Sequence, residues 1–141
     1  MQDKIKKEII NELLPNEYST EQSVIKNYCI DWRGDFEGTS DIILFPSSVA
    51  KISRIVKICN KKKIPIVPQG GNTSLVGGSV PRKNKGEIIL NLSKLNRIRK
   101  INLIDYTITL ESGCILENVK KELEYSKMVF PLSMGSKGSC Q

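Results

Sequence analysis

The segment Ile64–Pro81, IPIVPQGGNTSLVGGSVP, carries the residues whose types and spacing point most clearly to chemistry. It holds two glycine pairs, at 70–71 and 77–78, directly after a short apolar run. Glycine lets the main chain approach a ligand closely and adopt dihedral angles that other residues avoid. Successive backbone N–H groups can then converge on an anion. The segment therefore predicts a loop that binds a diphosphate through its main chain, with Asn72 and Thr73 as short polar neighbours.

Other phosphate-binding and catalytic patterns are missing from the sequence. No Lys-Ser or Lys-Thr follows the glycines, and no GxGxxG opens a helix. The chain has no histidine, which excludes Ser-His and Cys-His catalytic pairs. Its four cysteines are far apart, which argues against a zinc site or a disulfide framework. Chemistry at this chain must therefore depend on a bound cofactor, unless the glycine pairs are only a flexible connection between strands.

Apolar periodicity places the glycine loop at the end of a βαβ unit. An amphipathic helix is predicted over residues 5–14, and residues 16–40 are mixed in character with several turn signals. A buried strand follows at Ile42–Phe45, and Ser47 or Ser48 is expected to cap the next helix. The run Ile64–Val67 is the second strand. A strand, a helix and a strand in so short a stretch predict two parallel strands of one sheet.

The second half of the chain predicts a further sheet with a helix. Strands are expected at Glu87–Leu92, at residues 98–102 and at residues 106–112, the last with strict apolar–polar alternation. A helix with Leu116, Val119 and Leu123 on one face follows. The run Met128–Leu132 is expected to form a last strand before the Gly/Ser-rich end SMGSKGSCQ. The predicted class is α+β, with a small parallel βαβ unit followed by a second, mixed sheet with helices.

The string PQGGNTSLVGGSVP resembles the flavin diphosphate loop of the FAD-binding domain of the vanillyl-alcohol oxidase type. Within that superfamily the chain is most similar to D-2-hydroxyglutarate dehydrogenase, D-lactate dehydrogenase and the D subunit of glycolate oxidase. DWRGDFEGTSDIILFPSS, ILNLSKLNRIRKIN and LESGCILENV resemble successive strands and helices of that domain. FPLSMGSKGSCQ resembles its second flavin-contacting loop, and the chain ends inside that motif.

The resemblance implies a set of FAD-contacting residues and a non-covalent cofactor. Some relatives attach flavin through a histidine in this loop, but Asn72 occupies the comparable position here. Ser74 and Ser133 stand where the family often has Gly and Asp, so polar contacts at Ser133 do not carry over. No metal-binding residue is predicted. The implied cofactor-binding residues are Pro68, Gln69, Gly70, Gly71, Asn72, Thr73, Ser74, Leu75, Gly78 and Ser79 in the first loop, and Pro131, Gly135 and Ser139 in the second, which would form the other wall of the site.

The expected protein is the N-terminal part of a flavin-dependent D-2-hydroxyacid dehydrogenase. Residues 1–40 would form an N-terminal helix and lead-in segment, and residues 41–141 a truncated FAD-binding domain. In this family the substrate-binding residues lie in a later half, so we expect this chain alone to be inactive and to contain no catalytic residue. A 2-hydroxy acid and an unidentified electron acceptor are the implied partners. The alternatives are another enzyme of the same fold, such as UDP-N-acetylenolpyruvoylglucosamine reductase, and a non-catalytic basic binding module.

The formal net charge of +7 is the observation that favours a basic binding module. A polyanion such as nucleic acid would be its natural partner. However, the basic residues are scattered, and aromatic residues do not alternate with them as they do in single-strand binders. We therefore predict no nucleic-acid partner. No apolar run reaches the length of a membrane span, and the charged N-terminus lacks a signal-peptide core, so the predicted compartment is the cytoplasm.

Overall fold

The computed structural model describes residues 2–141 and shows two small sheets with four α-helices. The first sheet belongs to the part of the chain that precedes residue 92, and the second sheet follows it. In chain order the elements are α1 (Asp3–Ile10), a 3₁₀ turn (Pro15–Glu17), β1 (Tyr18–Ser19), α2 (Gln22–Lys26), β2 (Ile43–Leu44), α3 (Val49–Lys62), β3 (Ile66–Gln69), β4 (Ile88–Asn91), β5 (Ile98–Asn102), β6 (Thr107–Leu110) and α4 (Leu116–Tyr125).

The predicted βαβ unit is formed by β2, α3 and β3. The Ser48 hydroxyl caps α3 by accepting a hydrogen bond from the Lys51 amide at 3.3 Å. The helix ends at Lys63, which adopts a left-handed conformation with φ 55°. Strands β2 and β3 are parallel, but β4 lies between them and pairs in parallel with both. Strand β1 pairs with β2 in the antiparallel sense, so the first sheet is mixed.

The main core lies between the first sheet and the helices α1 and α3. All four residues of β4 are buried, because this central strand is covered on both faces. The loop that follows β3 starts at Gln69, the buried residue of this edge strand, which pairs with the fully buried β4. The buried core residues on this side are Ile9, Ile42, Leu44, Ile55, Cys59, Ile88 and Leu90.

Glu17 joins the lead-in segment to the start of α3. Its carboxylate accepts hydrogen bonds from the amides of Leu14 at 2.8 Å and Ser47 at 3.0 Å, and it pairs with the Lys51 ammonium at 2.6 Å. Burial alone would raise the pKa of Glu17, but these donors outweigh burial and lower the pKa to about 2. The lead-in segment is thus fixed to the start of α3.

The second sheet is an antiparallel pair, β5 and β6, covered by α4. Leu116, Val119 and Leu123 are the buried residues of α4, which confirms the helical face expected from the sequence. The strand expected at Met128–Leu132 is wrong, because residues 128–132 have no regular structure and pair with neither strand. Met128 and Phe130 instead pack their side chains against the core beneath the pair.

Candidate functional site

Gln69 fixes the start of the glycine loop at the end of β3. Its side chain is 1% exposed, and its Nε2 donates to the carbonyl oxygens of Tyr28 and Ser79, both at 2.9 Å. One amide group therefore joins both ends of the loop to the lead-in segment. Its Oε1 is buried and accepts no hydrogen bond from the part of the chain that the structure describes. Because carbonyl oxygens can only accept hydrogen bonds, the side of the Gln69 amide that faces Tyr28 and Ser79 must be its nitrogen.

Asn72 makes the second connection between the loop and the lead-in segment. Its Nδ2 donates to the Ile30 carbonyl oxygen at 2.7 Å, and its Oδ1 accepts from the Ser79 hydroxyl at 2.7 Å. The residue has φ 52°, a left-handed conformation that asparagine tolerates better than most residues. The side chains of Gln69, Asn72 and Ser79, all expected from the sequence to contact the cofactor, thus shape the loop itself.

The main chain of the loop keeps its donors available. Among residues 2–141, no protein group accepts a hydrogen bond from the amides of residues 70–75. Gln69 still belongs to the sheet, since its carbonyl accepts from the Leu92 amide at 2.9 Å. The six amides that follow it donate to no group of the described chain. A run of unpaired N–H groups on a loop held by side chains on both sides can bind a diphosphate.

Two clefts flank the loop. The first has a volume of about 460 Å³, and its lining includes Gly70, Gly71, Asn72 and the lead-in residues Tyr28 and Trp32. The second has a volume of about 590 Å³ and is lined by Trp32, Thr73, Leu75, Gly135, Ser136 and Ser139. The two Gly/Ser-rich loops therefore meet across the second cleft, as the sequence predicts. The contribution of the lead-in segment was not predicted, and its only sequence signal is the turn-rich DWRGDFEGTS.

Gly71 is required because the two loops touch at this residue. A Cβ atom on Gly71 would lie 2.8 Å from the carbonyl carbon of Ser139 and would overlap its carbonyl oxygen. Gly71 does not have a positive φ, so the need for glycine here is steric and not conformational. In this loop the left-handed positions are Asn72 and Gly77. The glycine at 71 permits close approach of a neighbouring main chain.

The remaining expected residues lie outside the two clefts. Pro68 is paired with Leu90 inside the sheet, and Pro131 lies beneath the hairpin of β5 and β6. The Ser74 hydroxyl accepts from the Val76 amide at 3.3 Å, and Gly78 is exposed at the far end of the loop. Their contact with a cofactor stays a prediction, as it does for the residues that line the clefts.

The clefts contain little ionisable chemistry. Asp31 lies in the first cleft, but its carboxylate accepts from the amides of Phe36 at 2.8 Å and Arg33 at 3.4 Å. The hydrogen bond from the Phe36 amide is the largest of the contributions that lower the pKa of Asp31, so the carboxylate stays charged. Across residues 2–141, no group of three Cys, Asp or Glu side chains could hold a metal ion, and no helix is long and apolar enough to cross a bilayer.

Comparison with known families identifies the ligand that this geometry fits. The family model described as "FAD binding domain" matches residues 40–141, which include both loops. The chain belongs to the FAD-binding domain family. FAD is therefore its cofactor, and the unpaired amides and two flanking clefts provide what an extended dinucleotide diphosphate requires.

Solved structures with low sequence identity share the fold of this FAD-binding domain. Alkyldihydroxyacetonephosphate synthase superposes with a TM-score of 0.87 at 17% identity, over 99% of this chain and 28% of that protein. p-Cresol methylhydroxylase superposes with a TM-score of 0.82 at 22% identity, over 98% of this chain and 28% of that protein. Similarity at this level shows the fold, and it confirms the α+β class expected from the sequence.

Curated relatives are closer in sequence. D-2-hydroxyglutarate dehydrogenase of Danio rerio is 40% identical over 128 residues, 91% of this chain and 24% of the relative. A Schizosaccharomyces pombe protein whose name assigns it to the mitochondrial D-lactate dehydrogenases is 46% identical over 123 residues, 87% of this chain and 23% of the relative. D-2-hydroxyglutarate–pyruvate transhydrogenase of Saccharomyces cerevisiae is 37% identical over 134 residues, 95% and 25% of the two chains. This chain thus spans about a quarter of the length of these relatives.

Proposed function

We propose that this FAD-binding domain serves a flavin-dependent D-2-hydroxyacid dehydrogenase that oxidises a 2-hydroxy acid to the 2-oxo acid. The observation that carries the proposal is the run of unpaired amides at residues 70–75 between two clefts, in a chain 40% identical to a D-2-hydroxyglutarate dehydrogenase. A positively charged group is not needed at the diphosphate, because converging N–H dipoles stabilise the anion.

The role of this chain in such a reaction is binding and orientation. Bound FAD supplies the two-electron oxidation of the CH–OH group. The amides at 70–75 hold the diphosphate, while Gln69 and Asn72 fix the loop against the lead-in segment. A general base would have to come from elsewhere, since the sequence has no histidine and the Asp31 carboxylate in the first cleft is occupied by amides. The residues that recognise the 2-hydroxy acid are likewise proposed to lie outside this chain.

The decisive experiment is anaerobic reduction of the flavin in the longest natural protein that carries this chain. Mixing the protein with D-2-hydroxyglutarate or D-lactate should bleach the flavin absorbance, whereas mixing it with the L-enantiomers should not. Bleaching by a nicotinamide nucleotide, with no response to either D-acid, would refute the proposal and favour the reductase alternative. The 141-residue chain itself, loaded with FAD, is the matched control and should respond to none of these reductants.

The partners and the compartment follow as further proposals. A completed turnover needs an electron acceptor to reoxidise the flavin, and we propose that such an acceptor is a partner of the whole protein. We propose that the protein binds no nucleic acid and acts in the cytoplasm. Fractionation of cells that express the tagged protein tests the compartment, because two of the three relatives carry a mitochondrial location in their names.

A further inference from the structure

Trp32 holds a unique place in the site. It lines both clefts, and the lining of the two clefts has no other residue in common. Its side chain is 78% exposed, so most of the indole surface is open to whatever occupies the clefts. It is also the one tryptophan of the sequence. A large planar side chain therefore stands at the junction of the two cavities, beside the loop that holds the diphosphate.

The turn that carries Trp32 is fixed in position from both ends. The Asp31 carboxylate accepts from the amides of Phe36 and Arg33, which closes the turn over the intervening residues. Ile30 forms an isolated bridge with Glu37, and its carbonyl accepts from Asn72 at 2.7 Å. The backbone just before Trp32 is thus joined to the glycine loop. Such a constraint lowers the entropy lost when a ligand orders the indole ring.

We propose that Trp32 binds FAD by stacking its indole on one of the two planar ring systems of the cofactor. FAD is a diphosphate with a planar ring at each end, so a ligand held at residues 70–75 extends one half toward each cleft. A residue that lines both clefts beside the diphosphate faces one of those rings. Stacking of a base on an aromatic side chain contributes about 1–3 kcal/mol, which corresponds to roughly 5- to 150-fold in affinity. The inference rests on the proposed FAD site at this loop.

The test is FAD titration of the apoprotein in the longest natural protein that carries this chain, comparing Trp32→Ala with Trp32→Phe. Trp32→Ala should weaken FAD binding by about tenfold or more, and Trp32→Phe should recover most of the affinity because it keeps an aromatic ring. FAD should quench the indole emission of the wild type, and the quenched component should be missing in Trp32→Phe. Separate titrations with ADP and FMN identify the stacked half of the cofactor.

The matched control is Tyr125→Ala, which removes another exposed aromatic side chain at the end of α4, away from both clefts. It should leave FAD affinity unchanged, and circular dichroism should show all four proteins folded. Wild-type affinity in a folded Trp32→Ala variant would overturn the role of Trp32. Failure of the wild type to bind FAD would overturn the proposed function instead, so the two failures are distinguishable.

Discussion

Substitution of Gly71 by alanine tests how closely the two loops must approach each other. The added Cβ would lie 2.8 Å from the Ser139 carbonyl carbon, with the carbonyl oxygen closer still. Ordinary contact distances are about 3.5–4.0 Å, so the loops must separate on the order of 1 Å. Overpacking of this size costs about 1–3 kcal/mol of stability. The fold should survive, because the atoms that the new Cβ would meet belong to none of the buried residues of the main core.

Separation of the loops should weaken FAD binding. Loss of one charge-assisted hydrogen bond to the diphosphate costs about 1.5–3 kcal/mol, which predicts a roughly 10- to 150-fold higher Kd. The assay is titration of apoprotein by flavin fluorescence, with circular dichroism to check folding. Gly138→Ala is the matched control in the second loop, since its Cβ would meet only the Glu117 carboxylate at 3.5 Å. A folded Gly71→Ala protein with wild-type affinity would refute the reasoning.

Three further predictions follow from the residues that shape the site. Gln69→Met should lower the free energy of unfolding by about 2 kcal/mol in urea titrations, because the carbonyls of Tyr28 and Ser79 lose their donor. The control is Gln22→Met, at an exposed position. Equal urea midpoints for Gln69→Met and the wild type would contradict the prediction. The pKa of Glu17 is lowered from 4.5 to about 2, so its contribution to stability should be full above pH 4.5 and lost as the pH falls toward 2. As the pH falls from 4.5 to 2, the urea midpoint should fall less steeply for Glu17→Gln than for the wild type. Parallel profiles for the two proteins would contradict the lowered pKa of Glu17. FAD should be held non-covalently, because the Asn72 amide is not a nucleophile that could bond to the flavin. Acid precipitation should therefore leave the yellow colour in the supernatant. Colour in the pellet would show a covalent bond.

Local elements of the fold could be predicted because their signals lie in adjacent residues. The helix cap at Ser48, the strand at residues 98–102 and the buried face of α4 are all confirmed. The place of β4 between β2 and β3 depends on pairing between distant residues, which periodicity does not specify. The strand expected at Met128–Leu132 fails for a related reason. An apolar run forms a strand only with a partner, and here Met128 and Phe130 are partly buried against the second core without pairing with a strand.

The candidate site shows a similar division. The meeting of the two Gly/Ser-rich loops was predicted, and Gly71 with Ser139 marks where they touch. The roles of Gln69 and Asn72 could not be predicted, because an amide side chain can serve a ligand or a backbone carbonyl equally well. Trp32 could not be placed either. Its position depends on hydrogen bonds that cross more than forty residues of sequence, from Gln69 to Tyr28 and from Asn72 to Ile30.

The central claim is that backbone amides at residues 70–75 hold the cofactor by its diphosphate. Competitive titration of the apoprotein with FAD and with riboflavin, which lacks both phosphates, tests it most directly. Two charge-assisted hydrogen bonds at about 1.5–3 kcal/mol each predict that FAD binds at least 100-fold more tightly than riboflavin, and that ADP competes with FAD. Riboflavin binding as tight as that of FAD, with no competition by ADP, would contradict the account.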